Sequence, residues 1–352
     1  MYLQQRSLNV EEGDSSVTET FTQDDLVALV QKAFVASKTS EHNAWSVAEA
    51  LVQAEVDGQK GHGLSRIASY TLQSKAGKVD GFAQPDLLER RCGAVLVDAC
   101  DGFAYPAFQL AIDHLAASAQ HTGIAAAAIA HSHHCGVLGW HVERLASQGF
   151  VAFGVANTPS AMAPWGGTSR LFGTNPIAFA APQRDAPPAV VDLALSRVAR
   201  GKILTAAQKG EPIPDDWATD ADGNATTDAN AALKGTLLPI GDAKGAALAF
   251  MVETMAVALT GSKFAFEASS FFDDQGGPPN VGQFLIAIDP AGFAGRDVFL
   301  DRFALLAKEF EDDPGARLPG SRRLALRAAA AKDGISVDAD LTQTIRNLAE
   351  AA

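Results

Sequence analysis

Three clusters of side chains in this chain could do chemistry. In Gly61-His62-Gly63-Leu64-Ser65-Arg66-Ile67-Ala68-Ser69-Tyr70, the residues His62, Arg66 and Tyr70 are spaced four apart, which on a helix sets three polar heads on one face. A guanidinium can hold a carboxylate in a two-bond fork, and an imidazole one turn away can pass a proton to the atom beside the carboxylate carbon. A 2-oxo or 2-imino carboxylic acid suits that pair, and a solvated helix face with a packed histidine is the structural alternative. The second cluster, His131-Ser132-His133-His134-Cys135-Gly136, follows the apolar run Ile124 to Ala130, where a strand end presents side chains to a cleft. His131 and His133 have the i, i+2 spacing of metal ligands on a strand, but no further Cys or acidic partner lies nearby to complete a tetrahedron, so no metal is expected. A proton donor or a neighbour of a nicotinamide ring is the reading these imidazoles favour.

The third cluster is Ala163-Pro164-Trp165-Gly166-Gly167 with Phe172-Gly173-Thr174-Asn175-Pro176. Glycine and proline at this density leave backbone amides available to phosphate or ribose, or serve simply as a connector between strands. Gly201-Lys202 and Ile240-Gly241-Asp242-Ala243-Lys244-Gly245 each put a lysine beside glycine at a helix start, which suits a phosphate. Neither G-x-G-x-x-G nor G-x-x-x-x-G-K-[ST] occurs, so any dinucleotide is held without a Rossmann loop or a P-loop.

The elements that must position these groups can be read from periodicity. Residues 1 to 20 are polar and read as a loose tail. Thr22-x-x-Asp25 resembles a capping box before the stripe Leu26, Leu29, Val30, Ala33, Phe34, and Ser40 opens a second helix to about Glu55. Val95 to Val97 reads as a strand, and Phe108, Ala111, Ile112 and Leu115 as a helix that Gly123 ends. Short apolar runs at Ile124 to Ala130, Phe150 to Ala156, Ile177 to Ala181, Ala189 to Asp192 and Phe284 to Ile288 predict sheet strands. Pro212 to Asn230 predicts a long loop, and its Asp220-x-Asp222-Gly223-Asn224 is no calcium hand, because the glycine comes too early and Ala231 stands at position twelve. Helices return at Val298 to Phe310, Arg322 to Ala331 and Leu341 to Glu350.

Composition excludes several classes of function. A net charge of −13 with scattered lysines and arginines argues against nucleic acid, which needs a basic patch. No apolar run reaches the ~18 residues of a membrane span. The nearest, Ala246 to Leu259, carries Glu253 in its middle and predicts a buried helix. The first twenty positions hold no basic-then-apolar leader, so a cytoplasmic protein is expected. Cys92, Cys100 and Cys135 are odd in number and lack a C-x-x-C pair, as free thiols would be. At 352 residues the chain exceeds what one core usually fills, about 250 to 300 residues, so two or three subdomains are expected.

At these motifs the chain resembles the malate/L-lactate dehydrogenase family of the non-Rossmann kind. The matching pieces are Gly61-His62-Gly63 with Arg66 and Tyr70, Ser132-His133-His134, Pro164-x-Gly166-Gly167, Phe172 to Ala178, Asp192-Leu193-Ala194-x-Ser196, Ala199-Arg200-Gly201-Lys202 and Pro239-x-Gly241-x-x-Lys244-Gly245. Within the family it is most similar to the Δ1-piperideine-2-carboxylate/Δ1-pyrroline-2-carboxylate reductases, through Val97 to Ala104, Leu259 to Glu267 and Arg317-Leu318-Pro319-Gly320-Ser321-Arg322-Arg323.

The resemblance implies an α+β (mixed α/β) fold. It comprises a non-Rossmann NADPH-binding domain with a mostly antiparallel sheet (123–290), a helical domain from both chain ends (20–75 with 291–352) and a substrate-side part (76–122), assembled as a homodimer. It implies His62 as the acid/base residue, Arg66 as the carboxylate ligand, and Tyr70 and Thr174 on the substrate. The cofactor is then lined by His134, Cys135, Gly136, Val137, Leu138, Val190, Val191, Asp192, Ala199, Arg200, Ile240 and Gly241, with Arg317, Gly320, Arg322 and Arg323 in a closing loop. Arg200, Lys202, Arg322 and Arg323 offer cations to a 2′-phosphate, so NADP(H) is expected over NAD(H). Where the imine reductases have a serine before the histidine and an aspartate in a proton relay, this chain has Gly61 and Lys202, which makes Lys202 a candidate catalytic residue. Asp242 stands where a second glycine is common. The expected activity is NADPH-dependent reduction of a cyclic 2-imino acid to L-proline or L-pipecolate. The alternatives are a malate/L-lactate-type 2-hydroxy acid dehydrogenase and a non-catalytic dinucleotide-binding protein.

Overall fold

A computed structural model describes residues 17–351. β1 (Thr18–Phe21) comes first, where the sequence predicted part of a loose tail; the rest of that tail, 1–16, lies outside the described residues. The helices begin at polar caps, as predicted. Thr22 Oγ1 accepts the Asp25 amide at 3.1 Å to start α1 (Gln23–Val35), and Ser40 Oγ accepts the Asn43 amide at 3.3 Å to start α2 (Glu41–Val56). The segment with His62 and Arg66 is not one helix. It makes two single 3₁₀ turns, Lys60–His62 and Leu64–Arg66, broken at Gly63, before α3 (Ile67–Ala76) ends in a left-handed turn at Gly77. A Cβ on Gly63 would meet the Glu55 carboxylate at 2.5 Å, so close packing on α2 interrupts the helical period on which the shared face depended.

Next come β2 (Asp86–Arg91), β3 (Ala94–Asp98), α4 (Ala104–Thr122), β4 (Ile124–Ser132), α5 (Leu138–Ala146), β5 (Val151–Ala156), β6 (Ile177–Ala181) and β7 (Ala189–Leu193). They are followed by α6 (Arg200–Lys209), α7 (Ala229–Lys234), α8 (Ala243–Glu253), β8 (Val281–Ile288), α9 (Arg296–Asp312), α10 (Ser321–Asp333), β9 (Ile335–Asp338) and α11 (Ala339–Glu350). The fold is α+β: a seven-stranded sheet of order β2-β3-β4-β8-β5-β6-β7, antiparallel except for the β3–β4 pair. α4 ends at Gly123 (φ 76°), as predicted, and buries Phe108, Ile112 and Leu115 against Val97, Ala127, Ile129 and Leu285 of the sheet. Residues from both chain ends share a second core, in which Leu26, Phe34, Leu51 and Tyr70 meet Ile335 and Ile345, and β1 pairs antiparallel with β9. Such a pairing joins segments from opposite ends of the chain and leaves no local period in the sequence.

One expected burial is corrected. α8 and the turn after it bury Ala249, Val252 and Val257, while Leu248, Phe250 and Leu259 are 41%, 65% and 60% exposed, so one face of the run is buried and the other, equally apolar, is open. The antiparallel register places the C-terminal ends of β4, β5 and β7 and the starts of β6 and β8 at one edge of the sheet.

Candidate active site

At that sheet edge lies a cavity of about 120 Å³ lined by Gln59, His62, His134 to Leu138, Asn157, Thr158, Thr174, Pro176 and Asp192 to Ala194. A larger cleft, about 390 Å³, runs between the end of α5 and α9, but Arg296 is its only titratable lining residue, so it offers no proton chemistry.

The imidazoles of the second cluster diverge because β4 is irregular at its end, with a register shift between Ile129 and Ser132 and His131 at φ 47°, and because the strand stops at Ser132, before His133 and His134. His131, the last but one residue of β4, pairs with Asp98 (Nδ1–Oδ1 3.0 Å). His133 is buried with Nε2 on Gln73 Oε1 at 2.8 Å. Only His134 faces the cavity, and its ring stacks on His62 with centroids 5.2 Å apart at 24°. Burial holds His62 down to about 4, with the neighbouring Arg66 guanidinium adding to the shift, and it holds His134 well below the usual imidazole range. Both rings are therefore neutral near pH 7. The Cys135 thiol, buried beside them, is pushed up to about 12 and stays protonated.

Tyr70 is fully buried and its hydroxyl hydrogen-bonds His134 Nδ1, so it braces an imidazole instead of sharing an exposed face with His62 and Arg66. Arg66 turns its Nε onto the Gly61 carbonyl at 2.7 Å and lies over the Phe272 ring at 4.6 Å, leaving its terminal nitrogens without a protein acceptor among the described residues. Thr174 lines the cavity where the sequence put it, its amide donating to Thr158 Oγ1 at 2.9 Å. Lys202 stands exposed in the first turn of α6, outside the cavity lining.

The cavity fits a nicotinamide ring with an anionic tail. Val137, Leu138, Pro176 and Leu193 supply apolar walls. The chain turns at Gly136 (φ +65°), where a Cβ would strike the Tyr105 hydroxyl at 2.7 Å, and leads its amides into the N-terminus of α5. The Asp192 carboxylate accepts the Gly139 amide at 2.9 Å, tying β7 to that helix start. Gly201 and Gly241, at the starts of α6 and α8, have open space where a side chain would stand. Asp242 adopts φ 58° and ψ −125°, a glycine-like conformation held by an Arg197 bond of 2.6 Å to its carboxylate.

The remaining expected cofactor residues surround this core without lining the cavity. The amide of Val190 donates to the Pro319 carbonyl at 3.3 Å, which brings the 317–323 loop and Gly320 onto β7 beside Val191 and Asp192. Arg323 is buried and paired with Glu143 at 3.0 Å, and Arg200 donates to the Leu233 carbonyl at 3.1 Å, so both guanidinia have protein partners. Arg317, Arg322, Ala199 and Ile240 are exposed. Gln59, Asn157 and Thr158 line the cavity but were not singled out, and Leu193 and Ala194 line it where the sequence had only matched a family motif; the strand-end rule applied to β4 would have found Asn157 and Thr158 after β5. Phe271 and Phe272 left no local signal.

A partly buried neutral imidazole can exchange a proton, a guanidinium with free terminal nitrogens can take a carboxylate, and the Rossmann loop is absent. Comparison with known proteins gives the family. Residues 21–346 match the model of the malate/L-lactate dehydrogenases, and the chain belongs to that family. It is 50% identical over 280 residues to a (2R)-3-sulfolactate dehydrogenase (NADP(+)) of Chromohalobacter salexigens, covering 80% of this chain and 83% of that relative. It is 40% identical over 329 residues to a Δ1-pyrroline-2-carboxylate/Δ1-piperideine-2-carboxylate reductase of Pseudomonas putida, covering 92% and 95% of the two. The crystal structure of Δ1-piperideine-2-carboxylate reductase from Pseudomonas syringae superposes with a TM-score of 0.89 at 38% identity, over 94% of this chain and all of that one.

Proposed function

We propose that this chain moves a hydride between NADP(H) and C2 of a small 2-oxo or 2-hydroxy carboxylic acid of the sulfolactate kind. The observation that carries this reading is the neutral His62 imidazole at the cavity, stacked on a second neutral imidazole. When a 2-hydroxy acid is oxidised, neutral His62 takes the hydroxyl proton as hydride leaves C2. In reduction, the bound anion stabilises imidazolium and His62 returns the proton to the oxygen. The cofactor, when bound, supplies or accepts the hydride. Arg66 forks the carboxylate with its free terminal nitrogens, Thr174 meets the substrate from the cavity lining, and Tyr70 acts through His134. A ketone needs a proton in step with the hydride, whereas a ring imine arrives already protonated, so an imidazole-centred site suits C=O chemistry. The relative named for NADP(+) and sulfolactate supports the same reading, as does Lys202 in place of a relay carboxylate.

The second reading is the cyclic imino acid reduction expected from the sequence, favoured by relatives of that name over 92% of the chain. A homodimer belongs to either reading, with Val298, Leu305 and Leu306 of α9 exposed to form its interface. Among the described residues no helix is long and apolar enough to cross a membrane, which agrees with the cytoplasmic location we propose.

The test is kcat/KM with 3-sulfopyruvate, pyruvate, oxaloacetate, Δ1-pyrroline-2-carboxylate and Δ1-piperideine-2-carboxylate, each with NADPH and NADH. The expected result is highest turnover with the sulfonated 2-oxo acid and NADPH. A cyclic imine preferred by tenfold would move the assignment to the second reading, and a preference for NADH would overturn the cofactor choice.

A further inference from the structure

Lys78, just past the end of α3, is 3% exposed. Its ammonium donates to the main-chain carbonyls of Ser270 (2.7 Å), Asp273 (3.0 Å) and Gln275 (2.7 Å), with the Asp273 carboxylate at 3.5 Å. An ammonium has three N–H groups, so three carbonyls saturate it, and a buried charge is tolerated only when satisfied in this way. The loop 270–275 is thus folded around one cation. It is held at two further points along α3. Gln73 donates to the Phe271 carbonyl at 2.8 Å while its other end bonds His133, and Arg66 lies on the face of Phe272. Phe271 packs against both inner histidines, with centroids 5.2 Å from His133 and 4.9 Å from His134. Phe272 is a large apolar ring left 56% exposed, and its contact with the guanidinium accounts for that exposure.

With Nε bound to Gly61 and one face on the Phe272 ring, the Arg66 guanidinium presents its free edge in one orientation relative to His62. We infer that Phe272 is a specificity-determining residue, which sets how far the bound carboxylate stands from the atom that exchanges its proton with His62, and that Lys78 is the positioning residue that holds Phe272 there. This inference rests on Arg66 as the carboxylate ligand. Acids whose carboxylate is placed differently from C2 are disfavoured because the guanidinium is not free to follow them.

Three variants test this on the acid that the wild type turns over best, with NADPH saturating. Phe272→Leu keeps an apolar side chain but removes the aromatic face. It raises KM by roughly fivefold, leaves kcat within about twofold and leaves the NADPH dissociation constant unchanged, and Phe272→Tyr restores KM. Lys78→Met frees the loop and raises KM by about tenfold or more, again without weakening NADPH. Because a buried lysine can be needed for folding, the half-exposed Phe272 decides the matter if Lys78→Met does not fold. Unchanged KM in Phe272→Leu, or KM and NADPH affinity lost together, overturns the inference. Arg66→Ala measured in parallel separates the two levels. If it raises KM while Phe272→Leu is silent, only the role of the loop fails; if Arg66→Ala itself leaves KM unchanged, the carboxylate assignment and everything built on it fail.

Discussion

At the scale of single residues, the site pairs one guanidinium with one imidazole, and each can be removed separately. With Arg66 as the proposed carboxylate ligand, Arg66→Ala is expected to remove the fork at a cost of a few kcal/mol in transition-state binding, lowering kcat/KM by roughly a hundredfold or more. Arg66→Lys keeps the charge but loses the planar fork and recovers only part of the loss. Steady-state kinetics with NADPH titrations check both, and NADPH affinity is expected to hold in each. His62→Asn removes the proton acceptor without emptying the cavity, and kcat is expected to drop by about 10²- to 10⁴-fold. Near-normal turnover would hand the proton to another group.

At the scale of elements, the two halves of the site are tied by a buried cluster of charges. Arg327 of α10 forks Asp57, the residue that ends α2, at 2.6 and 2.8 Å, and also meets Glu143 of α5 at 2.8 Å; Arg323 joins Glu143 at 3.0 Å. Burial depresses the affinity of Arg323 for its proton, while the paired carboxylates raise that of Arg327. The cluster joins the helices carrying His62 to the helix whose N-terminus faces the cavity. Asp57→Ala takes both acceptors of the fork from Arg327 and leaves it with Glu143 alone, and loss of one partner from a buried ion cluster typically costs about 3 kcal/mol or more. Urea denaturation is the measurement, and a midpoint equal to wild type would mean that water replaces the carboxylate at no loss. Gly123→Ala, at φ 76°, is expected to cost about 1 kcal/mol through backbone strain alone.

For the molecule as a whole, the buried imidazoles of His133, His134 and His141 and the partly buried one of His62 couple stability to pH. His62 titrates at about 4, His133 and His141 at about 3, and His134 well below its usual range, all because burial penalises the charged form. In the unfolded chain each binds its proton near 6.5. Between those limits the unfolded state holds more protons, so stability is full above about pH 6.5 and declines on acidification until the folded values are reached, by about 1.4 kcal/mol per pH unit for each group. Glu253 and Asp192, pushed up by burial, work in the opposite sense in the carboxyl range. Thermal unfolding at pH 7 and pH 5.5 isolates the histidines, and equal midpoints would contradict their neutrality. Among the described residues no group of three or more His, Cys, Asp or Glu side chains could hold a metal ion, so turnover is expected to survive prolonged chelation. Stoichiometric zinc or iron in the active enzyme would show otherwise.

What the sequence determined by itself was local. Thr22 and Ser40 begin helices because a hydroxyl answers an amide two or three residues on, Gly123 ends one because only glycine takes its backbone angles cheaply, and the short apolar runs become strands because their length and flanking turns allow little else. His62 stood out by its spacing with Arg66, whereas the roles of His134 and Thr174 came from the resemblance to the family; all three line the cavity. The tertiary structure alone decided which groups meet. Helical spacing put His62, Arg66 and Tyr70 on one face, but the break at Gly63 takes His62 out of the helical period, and burial of Tyr70 in the core turns its hydroxyl to His134. The irregular end of β4 separated His131, His133 and His134, and pairing between the chain ends made a strand of a segment read as tail. Lys78 meets the carbonyls of Ser270, Asp273 and Gln275, and Arg66 meets Phe272, across nearly two hundred residues of chain; only the tertiary fold makes such contacts, and no window of sequence contains both sides.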